Sequence, residues 1–238
     1  SDLTEAKFLN GVGKETAVAV RFSTATNEKG SPESLRDIRG FAIKFYTEDG
    51  NWDLTGNNLP VFFIRDGYQF PDMVHALRPN PKNNIQEGWR ILDWFASHPE
   101  GLNLFTYLLG DEGIPRNWRT CDGFGVNTFI MYKGDKEVYV KFNWKSLAEG
   151  PQYMNDEEAQ MSGENNMRHV HATHDLYNHI GSGKSADWDF YLQVMDKEEG
   201  DSGKFGFDPL DCTKNWDEEL FPWKKIGKLV LDTPVSNF

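Results

Sequence analysis

The chain has 238 residues, 38% of them hydrophobic and 14% aromatic, with 37 acidic against 25 basic side chains and a formal net charge of −12. That acidic field repels a phosphate backbone, and the basic residues form no block for an anionic membrane surface, so nucleic-acid and membrane partners are excluded. The apolar content supports one sizeable core, and the length suits a single domain spanning 1–238.

Ser1 to Leu9 reads as a short capped helix, with Leu3, Ala6 and Leu9 near one face. From Val18 to Ser23 the chain alternates: Val18, Val20 and Phe22 share one face, while Arg21 and Ser23 share the other. A turn-rich stretch from Asn27 to Ser34 follows, and Gly40 to Tyr46 is a second alternating strand. Glu48-Asp49-Gly50-Asn51 is a hairpin turn, after which Asn51 to Asn57 and then Val61 to Ile64 read as strand. Helical spacing takes over in Ile85 to His98 and in Leu102 to Leu109. Val126 to Tyr132 and Val138 to Trp144 flank a hairpin loop at Lys133-Gly134-Asp135-Lys136. A polar stretch then holds a helix near Asp156 to Met161. Thr173 to Ile180 reads as helix, Trp188 to Met195 as strand, 196–225 as a surface excursion and Ile226 to Asp232 as a last strand. The sum is an α+β fold: an antiparallel β-barrel, closed or incomplete, with a helical insertion.

Several local signals carry no function. Gly181-Ser182-Gly183-Lys184-Ser185 resembles the end of a phosphate-binding loop, but Asn178 stands where its first glycine belongs. His169, His171 and His174 have metal-compatible spacing, yet no cysteine is near and a loop entering a helix explains them. Two cysteines, Cys121 and Cys212, cannot staple a domain of this size. With no leader peptide, sequon or long apolar run, an intracellular protein is expected, although a start at Ser1 rather than Met leaves the gene's own start open.

Longer stretches match a family. Val20-Arg21-Phe22-Ser23-Thr24, Arg36-Asp37-Ile38-Arg39-Gly40-Phe41 and the run from Gly50 through Asn57-Asn58-Leu59-Pro60-Val61-Phe62-Phe63 resemble the haem catalases nearly word for word. So do Phe70-Pro71-Asp72-Met73-Val74-His75, Tyr191-Leu192-Gln193-Val194-Met195 and Phe207-Asp208-Pro209-Leu210-Asp211-Cys212. The resemblance covers essentially the whole chain and looks most like the plant-type, small-subunit members.

The resemblance implies an antiparallel barrel around a buried haem that dismutates hydrogen peroxide. It implies that Asn57 is the distal asparagine, that Ser23 orients the catalytic histidine, and that Arg21 pairs with haem propionates. Phe70 is then the ring stacked on the haem, Phe62 and Phe63 line its distal side, and Asp37 is the acid of the peroxide channel. The family's distal histidine and its haem-ligating tyrosine are expected outside 1–238, so no metal ligand is assigned and this isolated chain is expected to be inactive. Two internal departures stand out. Asn143 stands where the family usually has a histidine of a proximal relay, and Thr120-Cys121 where it has His-Met; the latter disfavours NADPH. A homotetramer and a peroxisomal or cytoplasmic location are implied. The alternative is a haem-free catalase-fold protein with a binding or assembly role.

Overall fold

The computed structural model describes residues 2–27, 30–159 and 169–236. Alternating apolar positions build one antiparallel sheet from β1 (Val18–Thr24), β2 (Arg39–Thr47), β3 (Gly50–Asn57), β4 (Gly123–Phe124), β5 (Phe129–Lys133), β6 (Lys136–Ser146), β7 (Ala186–Asp196) and β8 (Lys224–Leu231). The strands lie in the order β1-β2-β3-β4-β6-β7-β8, and β5 takes the β6 edge beyond β4. Among the described residues no ladder joins β1 to β8, so the sheet is a half-barrel.

One face of the sheet is the main core. Phe41, Ile43, Leu54, Phe142, Trp144 and Trp188 are all buried there, and the Trp144 and Phe190 rings stack 4.7 Å apart. Beyond β3 the chain forms the helical insertion: α1 (Phe70–Leu77), α2 (Gly88–Ser97) and α3 (Leu102–Leu109). Pro71 opens α1 at a position where its missing N–H is no loss. Further on, α4 (His171–Gly181) begins where the Glu33 carboxylate accepts from the Ala172 and Thr173 N–H groups at 2.8 and 3.1 Å. The short α5 (Lys197–Asp201) follows β7.

Several expectations are corrected. Residues 61–64 are not strand: Pro60 cannot continue a ladder, and Val61, Phe63 and Ile64 instead pack in a second core with Met73, Phe95 and Leu104. The helix expected from Ile85 starts only at Gly88, because Asn84 takes a left-handed φ of 57°. The N-terminal helix is reduced to a 3₁₀ turn at Lys7–Leu9. Residues 156–159 are helical, while 160 and 161 lie outside the described residues. Most of the 196–225 stretch is exposed, as expected of a surface excursion, but Trp216 and Phe221 bury against Tyr139 and Met195 and anchor it on β6 and β7. The expected strand from Val126 starts at Phe129, after a tight turn.

Candidate functional site

Strand register assembles the site on the sheet face opposite the main core. Ser23 lies across from Gly40, and Gly40 across from Asn57. One step away, Arg21 lies across from Ala42 and Ala42 from Thr55. Because Phe22 and Phe41 point into the core, Arg21, Ser23, Gly40 and Asn57 all face the other way. Gly40 keeps this row open, since a Cβ there would overlap the Ser23 hydroxyl.

In front of this row lies a cavity of about 690 Å³. Gly40, Thr55 and Asn57 form its floor, and Phe62, Phe63 and Phe70 line its side. The helix α1 contributes Met73, Val74 and Leu77, whose spacing from Phe70 puts all four on one helical face. Phe70 remains 48% exposed, an aromatic face open to a flat apolar partner. Asn57 is buried, and its Oδ1 accepts from the Leu59 N–H at 2.8 Å. Its amide NH₂, a donor, is therefore the group Asn57 can offer to the cavity. Neither Arg21 nor Ser23 lines the cavity itself; both stand on its strand row, and Arg21 is exposed.

Asp37 stands behind the cavity wall. It is fully buried and absent from the cavity lining. Its oxygens accept from Ala25 N–H at 3.0 Å, from Thr26 N–H at 2.9 Å, from the Thr26 hydroxyl at 2.6 Å and from Asn27 Nδ2 at 3.0 Å. Ala25, Thr26 and Asn27 do line the cavity, so the carboxylate shapes the wall from behind.

The two internal departures are both absorbed locally. Asn143 is buried in β6, where its Nδ2 donates to the Gly123 carbonyl at 3.0 Å in support of the β4–β6 pairing. The Asn117 side chain accepts from the Thr120 N–H while the Thr120 hydroxyl accepts from the Asn117 N–H, a reciprocal cap. Burial pushes the Cys121 thiol up to about 12, so it is inert as a nucleophile at neutral pH. Thr120 and Cys121 line a second cavity of about 350 Å³ whose walls include Glu112, Asp122 and Glu218. As for the histidines, His171 Nε2–H donates to the Arg116 carbonyl at 2.8 Å.

Reading along the chain missed the part of the wall made by Ala25, Thr26, Val126 and Asn127. All four sit in turns or loops, where no periodicity marks a face. Val126 did carry one signal, since it stands between Gly125 and Asn127 in a stretch that must turn.

Haem, the group the resemblance implies, is a flat apolar plate bearing two carboxylates. The aromatic and aliphatic wall suits the plate, the missing Gly40 Cβ leaves room, and exposed Arg78 on the same cavity suits a carboxylate. The residues present fit the group. They include no tyrosine, cysteine or histidine among the described lining residues.

The chain was compared with known proteins. The catalase family model matches residues 1–238. "Catalase-1/2" of Glycine max is 52% identical and "Catalase-1" of Arabidopsis thaliana 54% identical over 239 aligned residues, each alignment covering 100% of this chain and 48% of the relative. The chain thus spans about half the length of the curated relatives it matches. Among solved structures, a bacterial catalase superposes with a TM-score of 0.93 at 39% identity, covering 100% of this chain and 45% of that one. Catalase A from Saccharomyces cerevisiae gives 0.94 at 33% identity, covering 100% and 48%. A half-barrel carrying Ser23, Gly40 and Asn57 in one row beside an aromatic cavity, matched along its whole length by that family, belongs to the catalase family.

Proposed function

We propose that this chain supplies the distal wall of a haem- and peroxide-binding chamber, in an enzyme that converts two hydrogen peroxide molecules to two of water and one of dioxygen. The observation that carries this reading is Asn57, buried at the end of β3 with its oxygen already engaged, at the floor of a cavity walled by Phe62, Phe63 and Phe70. Haem, when bound, supplies the redox chemistry of its iron. The chain's own residues do the rest. The Asn57 NH₂ donates to a peroxide oxygen and fixes its orientation. The three phenylalanines exclude water, and Phe70 offers its face to the macrocycle. The Ser23 hydroxyl, one row position from Gly40, positions a proton-transfer group brought to this face. Arg21 and Arg78 are cations for the haem carboxylates. Asp37 acts indirectly, through the 25–27 loop.

Residues 1–238 are proposed to fold as one unit and to be inactive alone. The acidic walls of the second cavity, with Glu112, Asp122 and Glu218, disfavour NADPH there. Cys121 and Cys212 are free thiols, which supports a reducing intracellular compartment, peroxisomal or cytoplasmic. Among the described residues no helix is long and apolar enough to cross a membrane. Assembly as a homotetramer is part of the same proposal.

Titration of the purified chain with haem tests the reading. A saturable Soret band is expected. In the full-length holoenzyme, Asn57→Ala is expected to slow peroxide turnover by about 10²-fold with the Soret band retained, the usual cost of one positioned donor. A cooperatively folded chain that takes up no haem overturns the reading and favours the haem-free binding or assembly role.

A further inference from the structure

The chain between β4 and β5 makes an abrupt turn. Asn127 N–H donates to the Gly125 carbonyl at 2.6 Å, closing a three-residue turn around Val126. Val126 has a φ of 59°, a left-handed conformation that a β-branched side chain rarely adopts. It is also buried, and it lines both cavities, so it is part of the partition between them. Strain of this kind persists only where neighbours impose it.

The neighbour is Lys141. It lies on β6, only 5% exposed, on the face that carries Tyr139 and Asn143 rather than the face of the main core. Its ammonium donates to the Val126 carbonyl at 3.1 Å and to the Lys214 carbonyl at 3.3 Å, and lies 5.7 Å from the centre of the Trp216 ring. Both carbonyls belong to irregular backbone outside the ladders and need a donor. Packing alone does not call for a cation here, because a buried ammonium is costly and an apolar residue of similar length fills the space more cheaply.

We propose that Lys141 is a positioning residue of the candidate chamber: by binding the Val126 carbonyl it holds the strained 125–127 turn that separates the two cavities. The inference rests on reading the larger cavity as the haem and peroxide chamber. Val126 and Asn127 are both wall residues there, so a relaxed turn moves the wall without touching Asn57.

The test compares the wild-type chain with Lys141→Met and Lys141→Arg. Methionine keeps the length and removes the donor; arginine keeps the cation, and the adjoining cavity of about 350 Å³ accommodates its longer head. For Lys141→Met, loss of a buried charge offsets loss of the donor to two carbonyls, so the thermal midpoint is expected to stay close to that of the wild type. Asn127 amide exchange should nevertheless quicken about tenfold or more, and the haem dissociation constant, read at the Soret band, should rise by about tenfold. Lys141→Arg should restore both. Equal Asn127 protection and equal haem affinity in all three folded proteins overturn the proposal. So does a loss in Lys141→Met that comes with a lowered midpoint and is not restored by arginine; Lys141→Leu, which also lacks a donor, replaces the methionine variant if that one does not fold. Failure of the wild type to bind haem removes the chamber reading, whereas Asn127 exchange still decides the role of Lys141.

Discussion

Asp37→Asn separates a structural carboxylate from a channel acid. In the folded chain, Oδ2 accepts from Ala25 N–H and Asn27 Nδ2, and Oδ1 from Thr26 N–H and the Thr26 hydroxyl. Asparagine has one acceptor oxygen and one NH₂. Whichever way it is turned, its NH₂ faces one backbone N–H, which cannot accept, and one side-chain group, the Thr26 hydroxyl or the Asn27 amide, which can turn to accept. A hydrogen bond to a buried charged group is worth about 1.5–3 kcal/mol, so the one backbone donor left unpaired costs about that much, and the bonds that remain lose their charge assistance. We expect a net loss of about 3 kcal/mol, large against a typical total of about 5–15 but survivable. Urea unfolding at neutral pH measures it. Thr26→Val in both backgrounds should reveal a coupling of about 1–2 kcal/mol between residues 26 and 37. A loss below about 1 kcal/mol would refute the reasoning, because it would mean that the loop donors find other acceptors and that Asp37 does not anchor the wall.

Three further predictions follow from named contacts. Gly40→Ala should drive the Ser23 hydroxyl off its position at a rotamer cost of about 0.5–1.5 kcal/mol, and Ser23→Ala should remove most of that cost; additive effects in the denaturation cycle would contradict the Gly40–Ser23 contact. Val126→Gly should cost about 1–2 kcal/mol less than Val140→Gly, because Val126 alone of the two pays for a left-handed backbone; equal losses would show that φ carries no strain. Burial holds the Lys141 ammonium at about 8 against an ordinary 10.5. Between those values the unfolded chain binds more protons than the folded one, so stability contributed by this group rises with pH, by about 3 kcal/mol over the window. Cys121, pushed by burial from 9.0 to about 12, acts oppositely, as the unfolded thiol ionises first. The stability difference between Lys141→Met and wild type in urea should therefore move in favour of the wild type between pH 7 and 10, and a constant difference would refute the assignment.

Much of the sheet was legible in the sequence, because strand alternation is a local property. The parity of Val20, Arg21, Phe22 and Ser23 already placed Arg21 and Ser23 together, and the hairpin at Lys133–Lys136 follows from its own turn residues. The resemblance to the catalases singled out Asn57, Phe62, Phe63 and Phe70, and the fold brings those four to one cavity. Where Pro60 ends the ladder, the apolar run 61–64 looks like strand, because periodicity cannot tell a buried strand from buried coil. The acidic look of 196–225 concealed Trp216 and Phe221, since a few apolar anchors decide burial more than mean composition does.

Composition and alternation thus determined most of the longer strands, the two faces of β1 and the acidic net charge. Only the tertiary structure decided that Ser23, Gly40 and Asn57 share a row, that Asp37 turns its oxygens to the 25–27 loop, and that Lys141 reaches both Val126 and Lys214. Those pairings join residues from about ten to seventy positions apart. Register and packing between distant segments set them, and no local pattern encodes a distance across the sheet.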